Sequence, residues 1–201
     1  VYYVRRDLAS RGFDSTLEAR WSPLAELTLI AGANVIVDRE LLPSTERVLK
    51  IEADSQPAGS VIASSRIDQG SRTFLNPAVF AQAVWTPIER WLQVTGGARL
   101  DHHSIYGTQL SPRLGLVSNP VGPLHAKLLY GAAFKAPSPV LLYAVPYRSG
   151  DVVGNPDLDP QRVQTIEGEL IYKPLPWLTA STALSYSLLN QKAEFALAGV
   201  H

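Results

Sequence analysis

The pair His102-His103 lies between Asp101 and Tyr106, and it is the only place in the chain where two histidines adjoin. Imidazole nitrogens bind transition metals, so these residues would suit contact with a metal ion or an iron complex. Adjacent residues of a strand point to opposite faces, however, and a polar hairpin tip exposed to water accounts for the same four residues. The hairpin tip is the simpler interpretation because it needs no bound ligand, and we predict no resident metal ion.

Glu167 and Glu169 are two residues apart, so they would share one face of a strand. Retaining glycosidases use such a carboxylate pair, but an acidic patch that faces a water-filled interior explains it more simply. Arg99, Arg113 and Lys127 have the strand positions to line the same interior. The chain also lacks cysteine, a catalytic triad spacing, a phosphate-binding glycine loop and a calcium loop. We predict neither an enzymatic activity nor an intrinsic cofactor.

A proline- and glycine-rich stretch at 136–160 contains Tyr143, Tyr147 and Arg148. Aromatic residues and arginine dominate binding hot spots, although packing within a loop explains them equally well. Together with the histidine pair, these residues make up our candidate ligand contacts: His102, His103, Tyr106, Tyr143, Tyr147 and Arg148.

The composition leaves few classes open. The chain has 201 residues with 18 basic and 18 acidic side chains, and this balance argues against a nucleic-acid partner. It has no run of apolar residues long enough for a transmembrane helix. A membrane β-barrel remains possible, because its strands are only half apolar.

Alternation with a period of two runs through most of the chain and predicts strands. In the clearest example, Leu124, Ala126, Leu128 and Tyr130 alternate with smaller or polar residues. The segments are roughly ten to fourteen residues long, which suits a tilted membrane strand better than a globular one. We predict about ten strands, near 1–7, 12–22, 24–38, 45–53, 72–86, 90–103, 108–119, 123–135, 161–173 and 176–192.

Four short junctions punctuate these segments, at 20–27, 84–92, 117–124 and 172–178. Each has a proline just past a strand end, and all four tryptophans of the chain lie in them: Trp21, Trp85, Trp91 and Trp177. Such clustering is typical of the aromatic girdle at one rim of a barrel in lipid. The connections at the opposite strand ends, 38–72, 101–109 and 136–160, are expected to be long loops.

Three ordered motifs carry a family resemblance: "LSPRLGL" at 110–116, "YGAAFKAPS" at 130–138 and "GNPDLDPQ" at 154–161. With them the chain resembles the β-barrel of TonB-dependent outer-membrane receptors, although Gln161 replaces the glutamate that is usual there. The resemblance implies an all-β fold: an antiparallel transmembrane β-barrel section of about ten strands, within a barrel of roughly 22. Long loops would lie on one rim and short Pro/Trp turns on the other.

The resemblance also implies a function in the bacterial outer membrane. Such receptors import scarce cargo, such as a ferric siderophore, haem or cobalamin, with energy from the TonB complex, which acts through a plug domain inside the barrel. We expect residues 1–201 to be an internal part of the barrel, without the plug domain and without the C-terminal closing strand. The expected partners are outer-membrane lipid, the TonB complex by way of that missing plug, and a small-molecule cargo, with no nucleic acid. Such a section alone should neither insert nor transport, because lipid does not tolerate unpaired strand edges.

Two alternatives remain open. One is a self-contained small outer-membrane barrel, acting as a passive pore or a membrane hydrolase. The other is a soluble β-rich binding module, which would be expected to have shorter strands.

Overall fold

The computed structural model describes residues 2–50, 56–65, 71–143 and 153–191. Its elements are β1 (Tyr2–Leu24), β2 (Leu27–Leu49), β3 (Val61–Ser65), β4 (Ser71–Ile88), β5 (Leu92–His103), β6 (Gly107–Val121), β7 (Leu124–Lys135), α1 (Pro139–Tyr143), β8 (Gln161–Leu175) and β9 (Leu178–Asn190). One antiparallel sheet runs in the order β1-β2-β4-β5-β6-β7-β8-β9, with β3 beside β2. The predicted all-β antiparallel fold is confirmed, and within the described residues the sheet is open, with β1 and β9 at its edges.

The strand count and the outer connections differ from the prediction. The described residues of the predicted segments 1–7 and 12–22 form the single strand β1, and those of 24–38 and 45–53 belong mostly to β2, which ends at Leu49. The described residues of the predicted loop 38–72 are therefore mostly strand and include β3, while 101–109 forms a tight hairpin that turns between His103 and Gly107. Ladder hydrogen bonds do not require alternating side chains, so a strand can continue where the hydrophobic pattern stops. Of the three long loops predicted, only 136–160 contains no strand among its described residues.

The four short turns lie where the prolines predicted them. A register shift occurs beside a proline in every one of these hairpins, at Pro23, Pro87, Pro120 and Pro174. Proline has no N–H to donate, so the ladder is interrupted there. The residue before the proline donates instead to the neighbouring turn in three cases, with N–O distances of 2.8 Å from Thr86, Asn119 and Lys173. The exposed tryptophans gather at this rim.

The two faces of the sheet have opposite chemistry. We call the face that carries Asn34, Arg99 and Glu169 the inner face, and the face that carries Leu17 and Leu184 the outer face. Leu17 and Leu184 are 78% and 80% exposed, whereas Asn34 is only 7% exposed. A water-soluble domain buries its leucines and exposes its polar groups, so this distribution is inverted. It is the distribution of a barrel with a polar interior and an apolar outer band.

Among the described residues, no helix is long and apolar enough to cross a membrane.

The segment after β7 folds back over the inner face. Helix α1 contacts β2, although β4, β5 and β6 separate β7 from β2 in the sheet. Leu142 is only 2% exposed, and the amide of Asn155 donates to the carbonyl of Leu141 at 2.8 Å. Segment 136–143 therefore covers the inner face at the end opposite the tryptophan rim.

Candidate functional site

A polar network on the inner face joins residues of three strands, β1, β2 and β5. Arg99 on β5 contacts both carboxylate oxygens of Asp101, with Nε 3.0 Å from each, and its Nη2 donates to Asn34 Oδ1 at 2.8 Å. Asn34 on β2 donates in turn to Asp14 Oδ1 at 2.6 Å and to Thr16 Oγ1 at 2.9 Å, both on β1. Because Arg99, Asp101 and Asn34 bond to one another and to β1, the network holds the strands together.

The five predicted inner-face residues share that face, but they do not form one cluster. The register places Val117 opposite Lys127, and Lys127 opposite Glu169. Lys127 Nζ lies 3.6 Å from Glu169 Oε2, and both side chains are more than a third exposed. The other members lie on the same face by register: Arg99, Arg113 and Glu167.

The structure separates the histidine pair. His102 points to the outer face, where its Nδ1 lies 2.9 Å from Thr108 Oγ1. His103 points to the inner face, and its ring stacks on Tyr106 with centroids 3.8 Å apart and planes 5° from parallel. The pair therefore does not bind one ion together, and no group of three potential metal ligands occurs among the residues described.

Of the three candidate residues in the long loop, only Tyr143 is described. The guanidinium of Arg72 lies over its ring, 4.1 Å from the centroid, and this cation–π contact ties segment 136–143 to β4. Tyr147 and Arg148 lie outside the described residues.

A cavity of about 180 Å³ lies between the inner face and segment 136–143. Carboxylates and aromatic rings dominate the part of its wall formed by the sheet. The lining residues are Ile36, Asp38, Glu40, Phe74, Asn76, His103, Tyr106, Ala136, Pro137, Pro139 and Leu142. Among our candidate ligand contacts, His103 and Tyr106 thus meet here, while His102 and Tyr143 do not line it.

The electrostatics of this cavity follow from burial. Glu40 and His103 are the fourteenth and twelfth residues of their strands from the short-turn rim, and Tyr106 lies in a turn, so all three are beyond the segments that span a bilayer. Burial, and then the charge of Asp38, raises the pKa of Glu40. Burial lowers the pKa of His103 more than Asp38 raises it. Burial, followed by the charges of Asp101 and Asp38, raises the pKa of Tyr106 to about 12.

Sequence reasoning missed four members of this site, Asp38, Glu40, Phe74 and Asn76. Asp38 and Glu40 continue the inner-face alternation of β2, and Phe74 stands opposite Asp38 in the register. The alternation is therefore a usable signal, but its apolar half ends at Val37, and the polar residues that follow favour a loop over 38–72.

Comparison with known proteins gives one family. The model of the family described as "TonB dependent receptor-like, beta-barrel" matches residues 7–192. No curated protein matched the sequence.

Solved structures show the same fold at low sequence identity. The chain is similar to the siderophore receptor PirA from Pseudomonas aeruginosa, at 20% identity and a TM-score of 0.64, over 90% of this chain and 31% of that one. It is similar to a mutant of the ferric enterobactin receptor PfeA from Pseudomonas aeruginosa in complex with enterobactin. The identity is 20% and the TM-score 0.73, over 95% of this chain and 28% of that one. It is also similar to the copper transporter OprC, at 16% identity and a TM-score of 0.66, over 92% of this chain and 30% of that one. The chain thus spans about a third or less of the length of these structures.

Proposed function

The chain belongs to the β-barrel family of TonB-dependent receptors, which are proteins of the bacterial outer membrane, and we propose that it is an internal section of the barrel of a receptor that imports scarce cargo. The receptor would use energy supplied by the TonB complex, delivered through a plug domain inside the complete barrel. The role of the chain is to form part of the wall and to present the inner face to plug and cargo.

The inverted burial of the sheet carries this proposal. Leucines stand exposed on the outer face at 78% and 80%, while Asn34 and Asp101 on the inner face are 7% and 3% exposed. The apolar outer face is suited to contact with lipid, and the polar inner face is suited to the hydrated interior of a barrel. The four exposed tryptophans at the short-turn rim fit the interface between lipid and water.

The open edges of the sheet support a larger barrel. Among the residues that the structure describes, β1 and β9 each pair with a single strand, and every residue of β9 is exposed. Unpaired backbone groups have no partner in lipid, so these edges require further strands. We propose that those strands close the barrel around the plug domain.

The cargo that we propose is a metal-containing small molecule such as a ferric siderophore, haem or cobalamin. Proteins with this fold include siderophore receptors and a copper transporter. The cavity under segment 136–143 lies at the end of the sheet opposite the tryptophan rim. We propose that incoming cargo meets the barrel at this end and that the cavity is its first contact.

Uptake by cells tests this function. Cells that lack the receptor carrying this chain would be given radiolabelled iron as a panel of ferric siderophores and haem, and cobalt-labelled cobalamin. We expect uptake of at least one compound to fall to background without the receptor, and to fall equally when the TonB protein is removed from cells that retain it.

A matched control uses cells with the receptor restored from a plasmid, which should recover uptake. Recovery of the protein in the soluble fraction, or unchanged uptake of every compound, would rule out the proposed function.

A further inference from the structure

We propose that the cavity between the inner face and segment 136–143 binds an organic cation, either a primary amine or a guanidinium group. This inference rests on the proposed function for its access from outside the cell, and it gives the site a ligand class that the family alone does not. The cavity's hydrogen-bonding groups, its aromatic wall and its size each support it.

The wall of the cavity carries two carboxylates whose charge no described residue neutralises. Asp38 and Glu40 form no hydrogen bond or ion pair with any residue that the structure describes. Arg72, which stands opposite Glu40 in the register, lies over the ring of Tyr143 instead. Two neighbouring carboxylates without a counter-charge repel each other, and a bound cation would relieve that repulsion.

Asn76 provides a second and independent indication. Its Nδ2 donates to Asp101 Oδ1 at 3.3 Å, whereas its Oδ1 is buried without a partner. A buried acceptor that lacks a donor costs free energy, so native proteins rarely leave one unmatched. Asn76 lines the cavity, and its oxygen would meet an N–H group of a ligand once the side chain turns toward the cavity.

Aromatic rings form another side of the cavity. His103 lies between Phe74, at a centroid distance of 5.9 Å, and Tyr106, at 3.8 Å. The faces of aromatic rings attract cations. Burial lowers the pKa of His103, which favours the neutral imidazole over a charged ring that would oppose a positively charged ligand.

The size of the cavity limits what enters. Its 180 Å³ is smaller than the about 300–1,000 Å³ of sites for drug-sized ligands, so it suits one functional group or a small free amine rather than a whole metal chelate. Pro137 and Pro139 in the covering segment restrict the backbone above it.

Calorimetry on the whole receptor in detergent tests this site with agmatine, which carries an amine and a guanidinium group, and with uncharged butylurea. We expect agmatine to bind and butylurea not to bind. Asp38→Asn and Glu40→Gln should each weaken agmatine binding at least tenfold, because each removes one charged acceptor. Glu169→Gln is the matched control, since it removes an inner-face carboxylate that is paired with Lys127, and it should leave binding unchanged.

Two further probes identify the source of the cation. A trihydroxamate iron chelate with one terminal amine would be compared with its N-acetylated form. Tighter binding of the amine form assigns the site to a group on the cargo, and equal binding of both, with agmatine still bound, assigns it to a free amine.

Failure of agmatine to bind the wild-type receptor would overturn the inference, as would equal losses in Glu40→Gln and Glu169→Gln. Neither result affects the uptake of metal complexes, so the proposed function would stand or fall separately. If Asp38→Asn does not assemble, Tyr106→Leu gives an independent test, because it removes an aromatic wall without changing charge and should also weaken agmatine binding.

Discussion

Arg99 and Asp101, two residues apart on β5, are joined by three contacts of 2.9–3.0 Å on the inner face. The Asp101 side chain is only 4% exposed and that of Arg99 33%. Removing one partner of such a pair leaves an uncompensated charge in a poorly hydrated place. We expect Asp101→Ala to lower the free energy of unfolding by up to about 3–5 kcal/mol, measured by urea titration of the receptor in lipid vesicles.

The Lys127–Glu169 pair is the control for that prediction, because it lies on the same face but is 44% and 36% exposed. Lys127→Ala should change the free energy of unfolding by less than about 1 kcal/mol. Equal effects of the two substitutions would show that burial does not distinguish the pairs.

Adjacent residues on β7 test which face meets lipid. Leu128 lies on the outer face and Leu129 on the inner face. Leu128→Arg should cost about 2–4 kcal/mol near the bilayer midplane, whereas Leu129→Arg keeps its charge in the hydrated interior and should assemble almost normally. The fraction of heat-modifiable, folded receptor in outer membranes measures this. A smaller fraction of folded receptor for Leu129→Arg than for Leu128→Arg would show that the inner face, and not the outer face, meets lipid.

Gly32 tests how closely β1 and β2 approach. A Cβ atom at this position would lie 2.5 Å from the carbonyl oxygen of Leu17 and 2.4 Å from Cζ of Phe80. The phenyl ring can move, but the oxygen belongs to the backbone of the neighbouring strand. Gly32→Ala should therefore lower the free energy of unfolding by about 1–3 kcal/mol. Gly131→Ala is the control, since nothing lies within 4 Å of its added methyl group, and a comparable loss there would contradict the steric explanation.

Glu40 gives a prediction about pH. Its pKa is raised in the folded protein by burial and by Asp38, so its contribution to stability is present below its ordinary value of 4.5 and is lost as the pH rises through the raised value. Glu40→Gln removes that loss. Without ligand, the variant should be more stable than the wild type at pH 7 and equal to it near about pH 4, as measured by unfolding at each pH.

Glu169→Gln serves as the control for charge removal, because its carboxylate is already paired with Lys127. It should not gain stability at pH 7. A wild-type receptor whose stability relative to Glu40→Gln does not change with pH would contradict the prediction.

The hairpins at the short-turn rim could be read from sequence because their signals are local. Pro23, Pro87, Pro120 and Pro174 each interrupt the ladder by the lack of an N–H, wherever the strand lies in the fold. The outer connections carried no comparable signal. β2 continues to Leu49 through backbone pairing with β1 and β3, and pairing partners are not visible in the side chains of one strand.

The sequence by itself determined the class of fold, the two faces of each strand and the family, because alternation and turn chemistry act within a few residues. Only the tertiary structure decided which side chains share a site. Arg99 meets Asn34 across 65 residues of chain, and the cavity joins β2, β4 and the hairpin of β5 and β6 to a segment that follows β7. These contacts depend on the order of strands in the sheet and on how segment 136–143 folds over it. They arise from long-range packing, which no local sequence pattern encodes.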